Sequence, residues 1–208
     1  MLEDQEIETR SFNQLWKDSW LEPQEHKALV DCIRGGFDPK VYDVALVNLM
    51  YAGPDGGTDY AGLCADKRFI SIDLKKPARD PGKGMYCVAV LTSPNSDKPG
   101  WALRDDSDTD VVVWYYQDTK RMALLDFQWL RKVLSLKLRE ACKASKFDGR
   151  LHLISYGGGR KSGGAFLLDI EDLQRWALEV ADQPYTSFVT SVNQSDWLTI
   201  RRMGQEQI

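Results

Sequence analysis

The chain has 208 residues, 43% of them apolar and 28% charged, with a formal net charge of −4. That length buries one sizeable core but not two comfortable domains. The acidic balance gives no global electrostatic case for nucleic acid or anionic membrane, so any phosphate binding has to be local.

No apolar run approaches the span of a bilayer. The opening "MLEDQEIETR" is acidic and polar where a secretory leader is basic and then apolar, so the expectation is a cytoplasmic protein. Residues 11–35 read as helical, broken at Pro23: from Gln24 to Arg34, the residues Ala28, Leu29, Cys32 and Ile33 share a stripe before Gly35 and Gly36 stop it. "VYDVALVNLM", 41–50, is mixed, and its periodicity leaves strand and short helix both open. After the turn "GPDGG", Thr58–Cys64 and Arg68–Leu74 read as two strands of a hairpin joined by Ala65, Asp66 and Lys67.

"KKPARDPGKG" is a surface loop, Met85–Leu91 an apolar strand and "TSPNSDKPG" another loop. "VVVWYYQ", 111–117, is the strongest strand signal in the chain, and a turn at 118–120 leads to the short apolar stretch Met122–Leu125. In a central strand the aromatics Trp114, Tyr115 and Tyr116 belong to the core rather than to a base-stacking surface. A long helix follows, from Asp126 as N-cap to Ser145, with Trp129, Val133, Leu136 and Leu138 on its apolar stripe. Leu151–Ser155 and Ala165–Leu168 read as strands around the flexible basic loop "YGGGRKSGG", and Ile170–Val180 as an amphipathic helix beginning near Asp169. The fold class is α/β, a mixed central sheet flanked by helices with an N-terminal helical segment. It divides into residues 1–36 packing on the core, a core at 37–181 and an extension at 182–208.

Four cysteines, Cys32, Cys64, Cys87 and Cys142, lie among apolar neighbours without a C-x-x-C pair and read as buried free thiols. His26 and His152 are too few and too separated for a histidine metal site. Gly157–Ser162 lacks the spacing of a phosphate-cradling G-x-x-x-x-G-K-[ST] loop.

The chemistry concentrates in "GTDYAGLCADKRFISIDLKKP", 57–77. A hairpin turning about Asp66 sets Leu63 opposite Phe69 and Asp59 opposite Asp73. Directly opposed side chains have Cβ atoms about 4.5–5.5 Å apart, close enough for both carboxylates to reach one hard cation and costly without one. Lys75, two residues beyond Asp73, points to the same face. Two aspartates and a lysine at a strand end suit metal-assisted phosphodiester hydrolysis. Thr58-Asp59 and Asp73-Leu74-Lys75, in a helix–strand–strand order, resemble the two half-motifs of the PD-(D/E)XK nuclease superfamily. The resemblance covers about residues 24–180 in the order of elements, with Thr58 where the family often has proline and Asp73 where glutamate is commoner.

The resemblance implies a restriction-endonuclease-like or Holliday-junction-resolvase-like core and a Mg²⁺- or Mn²⁺-dependent endonuclease acting on DNA, with RNA left open and a homodimer allowed. Asp59 and Asp73 would be metal ligands and Lys75 the third catalytic residue. Glu25, on the first helix, is the residue that can match the family's additional glutamate ligand. No glutamine and tyrosine motif follows Lys75, which disfavours an exonuclease of that subgroup. Lys76, Arg79 and Lys83, with Arg160 and Lys161, would supply a local positive rim for the nucleic-acid backbone. The alternative is a catalytically inactive protein on the same fold that binds nucleic acid or inhibits a protein partner.

Overall fold

The computed structural model describes residues 21–46, 58–76, 85–89, 100–103, 108–144, 152–155, 164–184 and 199, with the backbone alone at 85–89, 152–155 and 164–167. The first helix, α1 (Pro23–Gly36), starts with proline in its first turn and a reciprocal capping box between Glu22 and Glu25, in which the Glu22 N–H donates to Glu25 Oε2 at 3.0 Å. It buries Leu29, Val30 and Ile33. Ala28, expected on that stripe, is exposed. At 3.6 residues per turn it lies about 150° from the centre of the face that Leu29, Val30 and Ile33 define.

The open segment after α1 resolves as a strand, β1 (Val41–Leu46), while 47–50 lie outside the described residues. β2 (Tyr60–Cys64) and β3 (Phe69–Lys75) form the expected hairpin, with Leu63 opposite Phe69 and Tyr60 opposite Ile72. Its turn closes with Lys67 at a φ of 65°, a left-handed position taken by a non-glycine residue. β4 (Met85–Ala89) comes next, then a short 3₁₀ turn, Trp101–Leu103. β5 (Val111–Tyr116) pairs parallel to β3 and antiparallel to β6 (Arg121–Asp126). β6 is the stretch read only as short and apolar, and Lys120, with a φ of 55°, turns the chain into it.

The result is a five-stranded mixed sheet in the order β1-β2-β3-β5-β6. A second, three-stranded antiparallel sheet joins β4 to β8 (Gly164–Asp169) and β8 to β7 (His152–Ser155).

Helix α2 (Phe127–Ala144) begins where expected. Asp126 Oδ1 accepts from the Trp129 N–H at 2.7 Å, a cap worth about 1 kcal/mol. The helix does not present a single stripe, because Leu130, Val133, Leu134, Leu136, Leu138 and Ala141 are all buried, together with Arg131 and Lys137. Helix α3 (Ile170–Val180) is capped by Asp169, whose side chain accepts from the Glu171 N–H at 2.9 Å, and packs Leu173, Trp176 and Val180 inward. Lys137 of α2 pairs with Glu140 on its own helix and with Glu179 on α3.

Alternation along the strands splits the interior in two. On one face Ile70, Ile72 and Leu74 of β3 and Val111, Val113 and Tyr115 of β5 pack against α1. On the other, Val112, Trp114 and Tyr116 pack against α2 and α3. The aromatic run 114–116 is fully inside, so it belongs to the core as expected. At the sheet's outer edge, side chains of α1 take up β1 carbonyls: Arg34 donates to Val41 O at 2.8 Å and Tyr42 O at 3.3 Å, and His26 Nε2 donates to Val44 O at 2.9 Å. Cys32, Cys64 and Cys142 are free thiols, with Cys64 buried and the other two half-buried. Among the described residues no helix is long and apolar enough to cross a membrane.

Candidate metal centre

Period-two alternation gives β3 two characters. Ile70, Ile72 and Leu74 enter the α1 core, whereas Ser71, Asp73 and Lys75 turn to the face of β5 that carries Val112 and Trp114, with Asp73 beside Val112 and Lys75 beside Trp114 in the parallel register. An aspartate is thereby placed in the middle of the sheet, and Asp73 is only 3% exposed. Burial of a lone carboxylate costs several kcal/mol, roughly, unless it is compensated. Lys75 supplies part of that compensation, its Nζ lying 2.7 Å from Asp73 Oδ2.

Asp59 sits one residue before β2. Its N–H donates to Ile72 O at 2.8 Å, and its Oδ2 accepts from the Leu74 N–H at 2.7 Å, so the backbone of β3 fixes both ends of the residue. The side chains of Asp59 and Asp73 are in hydrogen-bonding contact. Burial, then the negative charge of Asp73, pushes the Asp59 carboxyl up to about 7, against the opposing pull of Lys75 and the Leu74 N–H.

The surroundings are built by Asp110 and by the 3₁₀ turn. Asp110 Oδ2 accepts from the Ser71 N–H at 2.7 Å, its own N–H donates to Ser71 O at 3.0 Å, and its carbonyl takes the Phe127 N–H at 2.9 Å, which locks β3, β5 and the start of α2 together. The hydroxyls of Thr58 and Ser71 meet at 2.5 Å. Above Lys75 lies Trp101, with the ammonium 4.8 Å from the indole centroid. Trp101 in turn stacks on Phe127 at 6.1 Å and tilts against Trp114 at 6.0 Å. Nothing in the sequence pointed to Trp101, because it follows a proline- and glycine-rich loop and no spacing rule ties position 101 to position 75.

The structure therefore brings Asp59, Asp73 and Lys75 together and leaves Glu25 out of the group. Glu25 belongs to the α1 face, where its Oε1 accepts from the Tyr115 hydroxyl at 2.5 Å and from Lys120 Nζ at 3.3 Å. Burial raises its carboxyl, but the bonds from Tyr115, the Glu22 N–H and Lys120 outweigh that and hold it below the usual carboxylate range. A cavity of about 580 Å³ opens beside it, and the polar groups of Glu25, Tyr115 and Lys120 satisfy one another there. Tyr60 feels both centres: burial and the charges of Asp59 and Glu25 push its phenol up to about 12. Lys76 follows β3 and is half-buried. Arg79, Lys83, Arg160 and Lys161 lie outside the described residues.

Among the described residues no three His, Cys, Asp or Glu side chains converge. Among the described residues, two carboxylates are what this position could offer a metal. That donor set fits Mg²⁺, a hard cation bound through one or two carboxylates while water and phosphate oxygens fill its remaining positions.

No protein-family model matches the chain, and no curated protein matches it. A solved structure of a bacterial homing endonuclease, I-Ssp6803I, is similar over 88% of this chain and 91% of its own, at 12% sequence identity and a TM-score of 0.34. A likeness that low carries no inference about activity.

Proposed function

We propose that the protein is a divalent-cation-dependent phosphodiesterase that cuts DNA internally, with Asp59 and Asp73 as the metal ligands and Lys75 as the catalytic cation. The observation that supports this most is the contact of two carboxylates at the end of a buried strand, with an ammonium 2.7 Å from one of them. Two acidic groups pressed together at that position are unfavourable for the fold alone and suited to sharing a cation. When bound, Mg²⁺ or Mn²⁺ would polarise a phosphoryl oxygen and lower the pKa of a coordinated water.

The chain's own groups supply the rest. The Leu74 N–H holds Asp59 in one orientation, so that the acidic pair is presented without rearrangement. Lys75, already at the pair, can donate to the attacking water or to the phosphorus-bound oxygen on which charge develops. Lys76, Arg79, Lys83, Arg160 and Lys161 would hold the backbone of the nucleic acid through phosphate contacts, which position it without reading its sequence.

The competing reading is a protein that binds nucleic acid without cutting it, and the Lys75–Asp73 ion pair favours it insofar as Lys75 is already occupied. Nicking of supercoiled plasmid with Mg²⁺ or with EDTA, by the wild type, Asp73→Asn and Lys75→Ala, separates the two. The proposal expects relaxed plasmid only from the wild type with metal. Retention of plasmid without any nicking would establish the binding module instead.

A further inference from the structure

Among the described residues Lys75 has an ion-pair partner, Asp73, and an aromatic neighbour, Trp101, and the two respond differently to a cation. Asp73 attracts the ammonium through its charge at 2.7 Å, but a cation shared by Asp59 and Asp73 competes for the same negative charge and weakens that hold. The indole of Trp101, 4.8 Å from Nζ, attracts through its quadrupole, which a metal on the carboxylates leaves unchanged.

We infer that Trp101 is the positioning residue for Lys75: it seats the ammonium at the acidic pair and keeps it there when the carboxylates are engaged elsewhere.

The build of the turn supports that role. Trp101 opens a 3₁₀ turn whose next two residues, Ala102 and Leu103, are 0% and 1% exposed, and the Leu103 N–H closes it on Gly100 O at 3.0 Å. The indole stacks at 27° on Phe127, the first residue of α2, and the guanidinium of Arg131, one helical turn on, lies 5.6 Å from the Phe127 ring. Lys75 is thus one end of a ladder of cation, indole, phenyl ring and cation fixed to the start of a buried helix. Phe127, Trp114 and Lys75 all lie against the indole of the half-buried Trp101, contacts that suit it to seating the amine.

The catalytic consequence rests on the nuclease reading, so the test has one arm that needs no catalysis. In ¹H–¹³C spectra the ε-protons of Lys75, assigned through Lys75→Arg, should resonate upfield in the ring current of Trp101 and show NOEs to its indole protons. Both should persist when Mg²⁺ is added and vanish in Trp101→Leu, whereas Trp101→Phe should keep a smaller upfield shift and show NOEs to the phenyl protons instead. In plasmid nicking, Trp101→Leu should lower kcat by about threefold to thirtyfold while KM for DNA and the Mn²⁺ affinity stay within about twofold, and Trp101→Phe should recover most of the rate. Unshifted ε-protons without NOEs in the wild type overturn the inference, and this holds even if Trp101→Leu does not fold. A loss of rate equal in the Phe and Leu variants, or carried by KM, overturns the positioning role. A shifted resonance in a wild type that cuts no DNA supports the seating and overturns the nuclease reading alone.

Discussion

The two faces of the main sheet each carry a buried acidic centre beside a lysine and an aromatic ring, and they are electrostatic opposites. On the α1 face, Glu25 receives a hydroxyl, a backbone N–H and an ammonium, and its carboxyl is held below the usual range. On the α2 face, Asp59 receives one backbone N–H and faces a second carboxylate, and it is pushed up to about 7. The first centre is satisfied by the protein itself and fastens α1 to β5. The second sets two acidic groups against one ammonium, so Asp59 resists ionisation and its charge, once the proton leaves, has no cation of its own. Of the two carboxylate sites, the one whose acid is held protonated by a neighbouring carboxylate is the one to examine for a ligand.

Substitutions at the two centres should therefore differ most in cleavage. Lys75→Ala is expected to reduce plasmid nicking by about 10²- to 10³-fold, the loss typical of one group aimed at developing charge, with Mn²⁺ binding by calorimetry retained. Glu25→Gln should leave both within a few-fold. A Glu25 variant that lost Mn²⁺ binding would erase the distinction between the faces.

Metal should act on one face only. Mn²⁺ at 100 times its dissociation constant is expected to stabilise the wild type by about 2.7 kcal/mol, read as a raised melting temperature against EDTA, because it binds the folded state alone. Asp73→Asn should abolish that increase and Tyr115→Phe should leave it intact.

Proton binding sharpens the comparison further. In the fold Asp59 keeps its proton up to about pH 7, whereas its ordinary value is 3.8. The stability it contributes is thus complete below pH 4, roughly, and is lost as the pH rises through about 7. Denaturant titrations in EDTA at several values across that window should show the wild type losing on the order of 2 kcal/mol more than Asp59→Asn, since the residue remains partly open to solvent. A variant with the same pH slope as the wild type would remove the strained pair.

The smallest effect is expected at the satisfied centre. Tyr115→Phe deletes a charge-assisted bond to Glu25 and should cost about 1.5 kcal/mol with no change in the pH slope between about 6 and 7, above the range in which Glu25 titrates.

The acidic pair was legible because hairpin arithmetic is local. A three-residue turn at 65–67 fixes Leu63 against Phe69, and the period of two then assigns Asp59, Asp73 and Lys75 to one side. The same arithmetic could not reach Glu25, since a helix residue's partners depend on which face of the sheet the helix covers. That was decided by Leu29, Val30 and Ile33 packing on Ile72 and Leu74. β6 was read only as a short apolar stretch, Met122–Leu125, because its partner strand, rather than its own composition, makes it a strand. The all-round burial of α2 likewise follows from α3 and the 3₁₀ turn arriving from distant sequence.

The bonds from Arg34 and His26 to the carbonyls of β1 have a colloidal consequence. A strand at the rim of a sheet is a template on which another chain can add, and here three of its acceptors are already spoken for by side chains of the neighbouring helix. With Tyr42 on that strand 59% exposed, the rim would otherwise be both adhesive and hydrogen-bond-competent. The two side chains thus occupy three carbonyls that a further strand would need, so the helix that completes the core also makes this rim a poorer template for one.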